Sequence, residues 1–310
     1  PLSETENQKC LNAISMVRDA LKGLGFTDDN KTISKLYEDT YAYAVEMRSI
    51  EGYRKVKLFV QGSYANNTNV RTQSDVDIAV VQEEIFRTEY RALTNTHKQS
   101  DADYGFTPVA DAKSFKDEVQ ECLENKFGDD VERKNKSIKV YGNTYRKDAD
   151  TVPCQRYRDY RNDYRKDVNN FIGGIVITPD SGSRIINYPE QHIANGRIKN
   201  NNTNYFYKKM VRIIKKMRYL MSDYGYSSAD NVSSFGIESL LWNLPDSVFT
   251  EYSIYRYEFG EIVDFLYANK SQIYSYKEAN GIKVLCETTS AENNYKSFID
   301  SLKRFYEYDI

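Results

Sequence analysis

Asp75 and Asp77 stand two residues apart at the start of an apolar run, Val76-Asp77-Ile78-Ala79-Val80-Val81. On an extended strand residues i and i+2 share a face, so both carboxylates point one way while Val76, Ile78 and Val80 point the other. Two like charges at that spacing are costly unless a cation joins them. Mg²⁺ is the natural candidate, because it takes carboxylate and phosphate oxygens together. Alone, such a pair reads as an exposed strand edge or a turn. Upstream, Gly62-Ser63 breaks another apolar run with a residue that lets backbone approach a ligand and a short hydroxyl. At the start of a helix this pair could offer backbone N–H groups to phosphates. Gly-Ser followed by the two acids on a strand is a signal for nucleotidyl transfer.

These residues need elements to hold them. Lys55-Val56-Lys57-Leu58-Phe59-Val60 reads as the strand before Gly62, and Ser74 to Val81 as the strand carrying the acids. Ser3 and Glu6 make a capping box before Cys10, Ala13, Val17, Leu21 and Leu24, which predicts a helix from about residue 4 to 25, closed near Gly25. A second helix is expected from Thr32 to Ile50, with Ile33, Leu36, Tyr37, Ala44 and Met47 inward. Gln82 to Asp111 is polar and weakly periodic, so loop or short helices are expected, with a turn at Gly105-Phe106-Thr107-Pro108. Phe115, Val119, Cys122, Leu123 and Phe127 predict a helix ending at Gly128.

Ser137 to Tyr141 and Ala149 to Cys154 read as strands around a turn at Gly142-Asn143. Their pairing could bring Asp150 beside Asp75 and Asp77; Asp148 would share its face and is the rival. Tyr157 to Asp167 alternates in charge sign and reads as a hydrated loop. Phe171 to Ile177 and Arg184 to Tyr188 complete the strands, and from Pro189 onward the pattern is helical.

In that second half Met210, Ile213, Ile214, Met217, Leu220 and Met221 recur at helical spacing between Thr203 and Tyr224. Lys208, Arg212, Lys215 and Lys216 gather opposite, which on periodicity alone is a solvated face. Lys199-Asn200 and Thr203 read as a polar loop with a capping Thr. Ser233 or Ser234 can cap the helix running from Phe235 to Trp242, and Trp242 reads as core.

Gly62-Ser63-Tyr64, Ser74-Asp75-Val76-Asp77 and Asp150-Thr151-Val152-Pro153, with the helical second half, resemble the DNA polymerase beta-like nucleotidyltransferases. Within them the resemblance is to the bacterial CD-NTases, relatives of cyclic GMP-AMP synthase and oligoadenylate synthase that make cyclic nucleotide signals in anti-phage defence. It covers nearly the whole chain. It implies an α+β, bilobal fold: a mixed-sheet catalytic lobe over residues 1–188, with a first helix spanning both lobes, and a helical nucleotide-binding lobe over 189–310. It further implies a cyclic oligonucleotide synthase that joins ribonucleoside triphosphates and releases pyrophosphate. Asp75, Asp77 and Asp150 would hold two Mg²⁺ ions, with Mn²⁺ an alternative; Thr151 replaces the apolar residue usual after the third acid. Nucleotide contacts implied by the same motifs are Gln61, Gly62 and Ser63, then Lys199, Asn200 and Thr203, then Arg212, Lys215 and Ser234. The product would act on a separate effector protein. Rival readings are a transferase that extends RNA, one that modifies a small molecule, and an inactive relative that only binds nucleotide or RNA.

Composition trims these options. The 310 residues carry 43 Lys and Arg against 45 Asp and Glu, a net charge of −2, which does not favour stable, non-specific grip on nucleic acid. Cys10, Cys122, Cys154 and Cys286 lie far apart in sequence and form no zinc spacing with His97 and His192. Reduced thiols, no leader and no spanning apolar run lead to the expectation of a cytoplasmic protein without a membrane anchor. The 27 tyrosines are expected as half-buried packing.

Overall fold

The computed structural model describes residues 2–70, 75–91, 99–107 and 114–308. The chain divides into two compact units, residues 1–65 with 75–190, and residues 66–74 with 191–310.

The first unit opens with α1, Glu4–Leu21. Ser3 Oγ accepts from the Glu6 N–H at 3.2 Å, and Glu6 Oε2 accepts from the Ser3 N–H at 3.3 Å, the reciprocal cap read from the sequence. Gly25, with φ of +80°, ends the turn that follows. Short strands β1, Phe26–Thr27, and β2, Ser34–Lys35, precede β3, Tyr43–Ser49, and β4, Lys55–Gln61. The helix expected over 32–50 is therefore replaced by strands. Val45, Met47 and Ser49 are buried while Glu46 and Arg48 are exposed, a period of two that fits a strand, and β3 pairs antiparallel with β4.

The single turn α2, Gly62–Ala65, leads on toward β5, Val76–Glu89. Then come α3, Phe115–Phe127, β6, Val131–Arg133, β7, Ile138–Val140, β8, Ala149–Asp159, β9, Ile172–Ile177, and β10, Ile185–Asn187. The described strands form one mixed sheet in the order β1-β3-β4-β5-β8-β7-β6, with β9 joined to β8 and β10 to β9; β5 and β8 run parallel. Helix α1 packs on β4, β5 and α3. Ala44, Phe59, Ala79, Val81, Val152 and Cys154 make an apolar cluster, and by strand alternation Asp77 and Asp150 share its face.

Two further expectations change. The stretch after Val81 continues as strand to Glu89, and its charges are paired: Arg156 on β8 reaches Glu83 at 2.6 Å and Glu190 at 2.8 Å. Gly105 does turn, with φ of +71°, whereas Pro108 and Ser74 lie outside the described residues. Nor is the 157–167 stretch simply hydrated. Tyr157 is in β8, Tyr160 is buried among Tyr90, Tyr104, Phe106 and Phe171, and the buried Asp163 carboxylate accepts from Tyr104 Oη at 2.7 Å.

The second unit is helical: α4, Pro189–Asn202, whose first two residues belong to the first unit, α5, Phe206–Asp223, α6, Ser234–Trp242, α7, Tyr255–Asn269, and α8, Thr289–Tyr308. Tyr207, Val211, Ile214, Leu240, Ile262 and Phe298 lie in its core, and Trp242 packs against it. Helix α5 is turned from the face expected of it. Lys208 and Lys215 are buried, while Ile213, Met217 and Leu220 are only partly so. Among the described residues no helix is long and apolar enough to cross a membrane.

Candidate active site

The strand register gathers the acids. Asp77 on β5 stands opposite Gln61 at the end of β4 and opposite Asp150 on β8, while Lys139 on β7 faces Asp150 from the other side. Asp75 precedes β5 by one residue. Gly62 has φ of +68°, and a Cβ there would lie 2.4 Å from Asp77 Oδ2. The glycine thus admits both the turn and the carboxylate, two needs that no other residue type meets together.

Crowding raises the charge cost. Burial, then Asp150, then Asp75 push the Asp77 carboxyl up to about 7. Burial and Asp75 likewise raise Asp150, against the pull of Lys139 and of Ser137 Oγ, which lies 3.3 Å from Asp150 Oδ1. Lys139 Nζ sits 2.9 Å from Asp75 Oδ2 and 3.2 Å from Asp148 Oδ2. Asp148 also accepts from the Gly142 N–H at 2.7 Å, so it is held by its own turn. Among the described residues no three His, Cys, Asp or Glu side chains stand in ready metal-ligand geometry; Asp75 is turned onto Lys139. The donor set nevertheless fits a hard divalent cation, because the crowding that raises Asp77 and Asp150 beside the Asp75 carboxylate is what such an ion relieves.

Ser63 lies in α2, and the next residue, Tyr64, is buried with Lys147 Nζ 5.5 Å from its ring centre.

In the second unit another charged group forms around Glu238 of α6, which is 2% exposed. Its carboxylate meets Lys215 Nζ at 3.1 Å, Thr68 Oγ1 at 2.8 Å and His192 Nε2 at 2.8 Å. Lys215 donates also to Thr68 O at 3.2 Å, and Arg212 donates to Asn67 O. Burial opposes the charge on Glu238, but Lys215 and His192 outweigh it and hold the carboxyl well below the usual range. Lys215 and Arg212 are thus brought together with Asn67 and Thr68. Lys199 sits elsewhere, its ammonium on Leu244 O and on Asp246 at 2.6 Å. Asn200 Oδ1 accepts from the Lys208 N–H, and Thr203 Oγ1 donates to Lys199 O at 2.8 Å while accepting from the Tyr207 N–H, so both fasten the joint between α4 and α5. Ser233 caps α6 by accepting from the Gly236 N–H, and Ser234 Oγ lies 3.2 Å from Arg218. Lys139, His192 and Glu238 had no assigned role from sequence. Glu238 could have been found from its S-x-x-x-E spacing, and His192 only from the scarcity of histidine.

A family model for a nucleotidyltransferase domain matches residues 44–140, and one for the cGAS/DncV-like nucleotidyltransferase C-terminal helical domain matches 194–307. The cyclic GMP-AMP synthase CdnE03 of Staphylococcus schleiferi is 48% identical over 309 residues, 99% of this chain and 94% of its own. The chain belongs to the CD-NTase family.

A second CD-NTase relative, the cyclic dipyrimidine nucleotide synthase CdnE of Cecembia lonarensis, is 37% identical across 90% of this chain and 83% of its own. Among solved CD-NTases, the CdnE cyclic dinucleotide synthase of Elizabethkingia meningoseptica, determined with GTP and Apcpp, has a TM-score of 0.71 at 30% identity, covering 99% of this chain and 96% of that one. The Rhodothermus marinus c-UMP-AMP synthase, determined with Apcpp and Upnpp, has a TM-score of 0.74 at 25% identity, covering 99% and 97%. As a CD-NTase the chain is a nucleotidyltransferase with a mixed-sheet catalytic lobe and a helical C-terminal lobe of polymerase beta-like type.

Proposed function

We propose that this CD-NTase is a cyclic oligonucleotide synthase, joining ribonucleoside triphosphates through phosphodiester bonds and closing the product into a ring. The observation that carries the reading is the register Asp77↔Asp150, with Asp75 two residues before Asp77 and Gly62 against the Asp77 carboxylate. Relatives matching over nearly the whole chain are cyclic nucleotide synthases by name, and their products span purine and pyrimidine. Synthesis of a cyclic nucleotide is what those names share.

Residues 1–188 would supply the catalytic domain and 189–310 the helical nucleotide-binding domain. In each round a ribose hydroxyl oxygen attacks the α-phosphorus of a triphosphate, the bond from that phosphorus to the β-phosphate oxygen breaks, and pyrophosphate leaves. Asp75, Asp77 and Asp150 would hold two Mg²⁺, or Mn²⁺, which lower the pKa of the hydroxyl and take up charge growing on the α-phosphate. Gln61, Gly62 and Ser63 would offer backbone and hydroxyl donors to the phosphates, and Asp150 would act on the side of the attacking hydroxyl. Lys215 spends two of its three donors on Thr68 O and Glu238, which leaves one for phosphate charge. Arg212 and Ser234 would complete the proposed nucleotide contacts, while Lys199, Asn200 and Thr203, occupied with Asp246 and with the joint between α4 and α5, would support that helix pair. The product would act on a separate effector protein in anti-phage defence.

The test is incubation with all four ribonucleoside triphosphates and Mg²⁺, followed by mass analysis. The expected products have the mass of nucleoside monophosphates joined in a ring, one water lighter than the linear oligonucleotide that keeps a single 5′-phosphate. Label on a growing RNA end or on a third compound would instead mean one of the other transferase chemistries.

A further inference from the structure

The ammonium of Lys139 occupies ground that a metal would also claim. It lies 2.9 Å from Asp75 Oδ2 and 3.2 Å from Asp148 Oδ2, and its strand position pairs directly with Asp150. The side chain is 18% exposed, and the Tyr141 ring centre lies 5.3 Å from Nζ, so the charge is held rather than left to wander in solvent. Asp75 and Asp148 therefore share this one ammonium, and its charge also reaches the neighbouring Asp150. An ammonium and a divalent ion compete for the same carboxylate oxygen, and they repel each other at a few ångströms through a partly shielded medium.

We propose that Lys139 is an internal competitor for the divalent cation at Asp75, a positioning residue that sets the metal concentration at which the site fills. While Lys139 holds Asp75, the acids stay compatible with one another in the metal-free protein. Filling the site requires that Asp75 leave Lys139, and Asp148 keeps the ammonium on its far side once it does. The inference rests on Asp75, Asp77 and Asp150 being the metal-holding acids, and its test separates the two ideas.

The nucleotide-free full chain is titrated with Mn²⁺ and the free ion is read by electron paramagnetic resonance. Lys139→Met, which keeps the apolar stem and removes the charge, should bind Mn²⁺ about tenfold more tightly than wild type. Lys139→Gln is the second variant, in case the first fails to fold, and should shift the same way; thermal melting identifies the folded proteins. Asp75→Asn should lose most of the binding. Unchanged or weaker Mn²⁺ affinity in a folded Lys139 variant, with Asp75→Asn still impaired, overturns the competitor role and leaves the metal site standing. If Asp75→Asn binds Mn²⁺ like wild type, the metal-site reading falls and the competitor role falls with it.

Discussion

Single residues carry two sharp expectations. Gly62→Ala places a Cβ 2.4 Å from Asp77 Oδ2 in a left-handed backbone. The strain should cost about 1 to 3 kcal/mol of stability in denaturant unfolding. Because the atom that must move is the Asp77 carboxylate, pyrophosphate release should fall by at least roughly tenfold; a Gly62→Ala enzyme with wild-type turnover would show that the close approach is irrelevant. Asp150→Asn should lose on the order of a thousandfold in rate, whereas Asp148→Asn, altering a carboxylate already held by Gly142 and Lys139, should lose less than about tenfold. The opposite ranking would move the third acid two residues upstream. Asp75, Asp77 and Gly62 were legible as candidates because their signal is local: one strand period and one chain break. Choosing Asp150 over Asp148 needed resemblance, since both share a strand face. Lys139, His192 and Glu238 escaped because a paired charge leaves no pattern near itself in sequence when its partner is far along the chain.

At the scale of elements, the Glu238 group makes α5 and α6 a test of buried charge. Lys215→Ala takes the lysine partner from the buried Glu238 and should cost about 3 to 5 kcal/mol. Lys216→Ala, on an exposed position of the same helix, should stay within about 0.5 kcal/mol. Equal effects would mean that Lys215 is not committed to Glu238. The linkage sign follows from the depressed carboxyl of Glu238 in the folded state. Its contribution is present above the ordinary value of 4.5 and is lost as pH falls through the lower folded value. Glu238→Gln should therefore flatten the acid side of the stability profile from about pH 5 downward in urea unfolding; a profile as steep as wild type would remove Glu238 as its source. Strands were less legible than helices. The stretch 32–50 offers apolar residues at helical intervals, yet Val45-Glu46-Met47-Arg48 alternates, and burial follows the alternation. The outer halves of β5 and β8 looked like loop because their arginines and glutamates pair across strands instead of presenting an apolar face.

The whole molecule was readable in outline because strands dominate the first half and helices the second, an order that fixes an α+β class before any contact is known. What that order could not reveal is that residues 66–74, lying between Gly62-Ser63 and Asp75, group with the second unit. That assignment depends on bonds between residues more than 100 positions apart, from Thr68 to Glu238 and from Asn66 to His192. At this scale the central claim is that the three acids perform phosphodiester synthesis. The most direct measurement is the initial rate of pyrophosphate release from ribonucleoside triphosphates and Mg²⁺ by wild type and by an Asp75→Asn, Asp77→Asn double variant whose folding is checked by circular dichroism. The double variant is expected to lose at least on the order of a thousandfold. Turnover near the wild-type rate by the folded double variant would contradict the account.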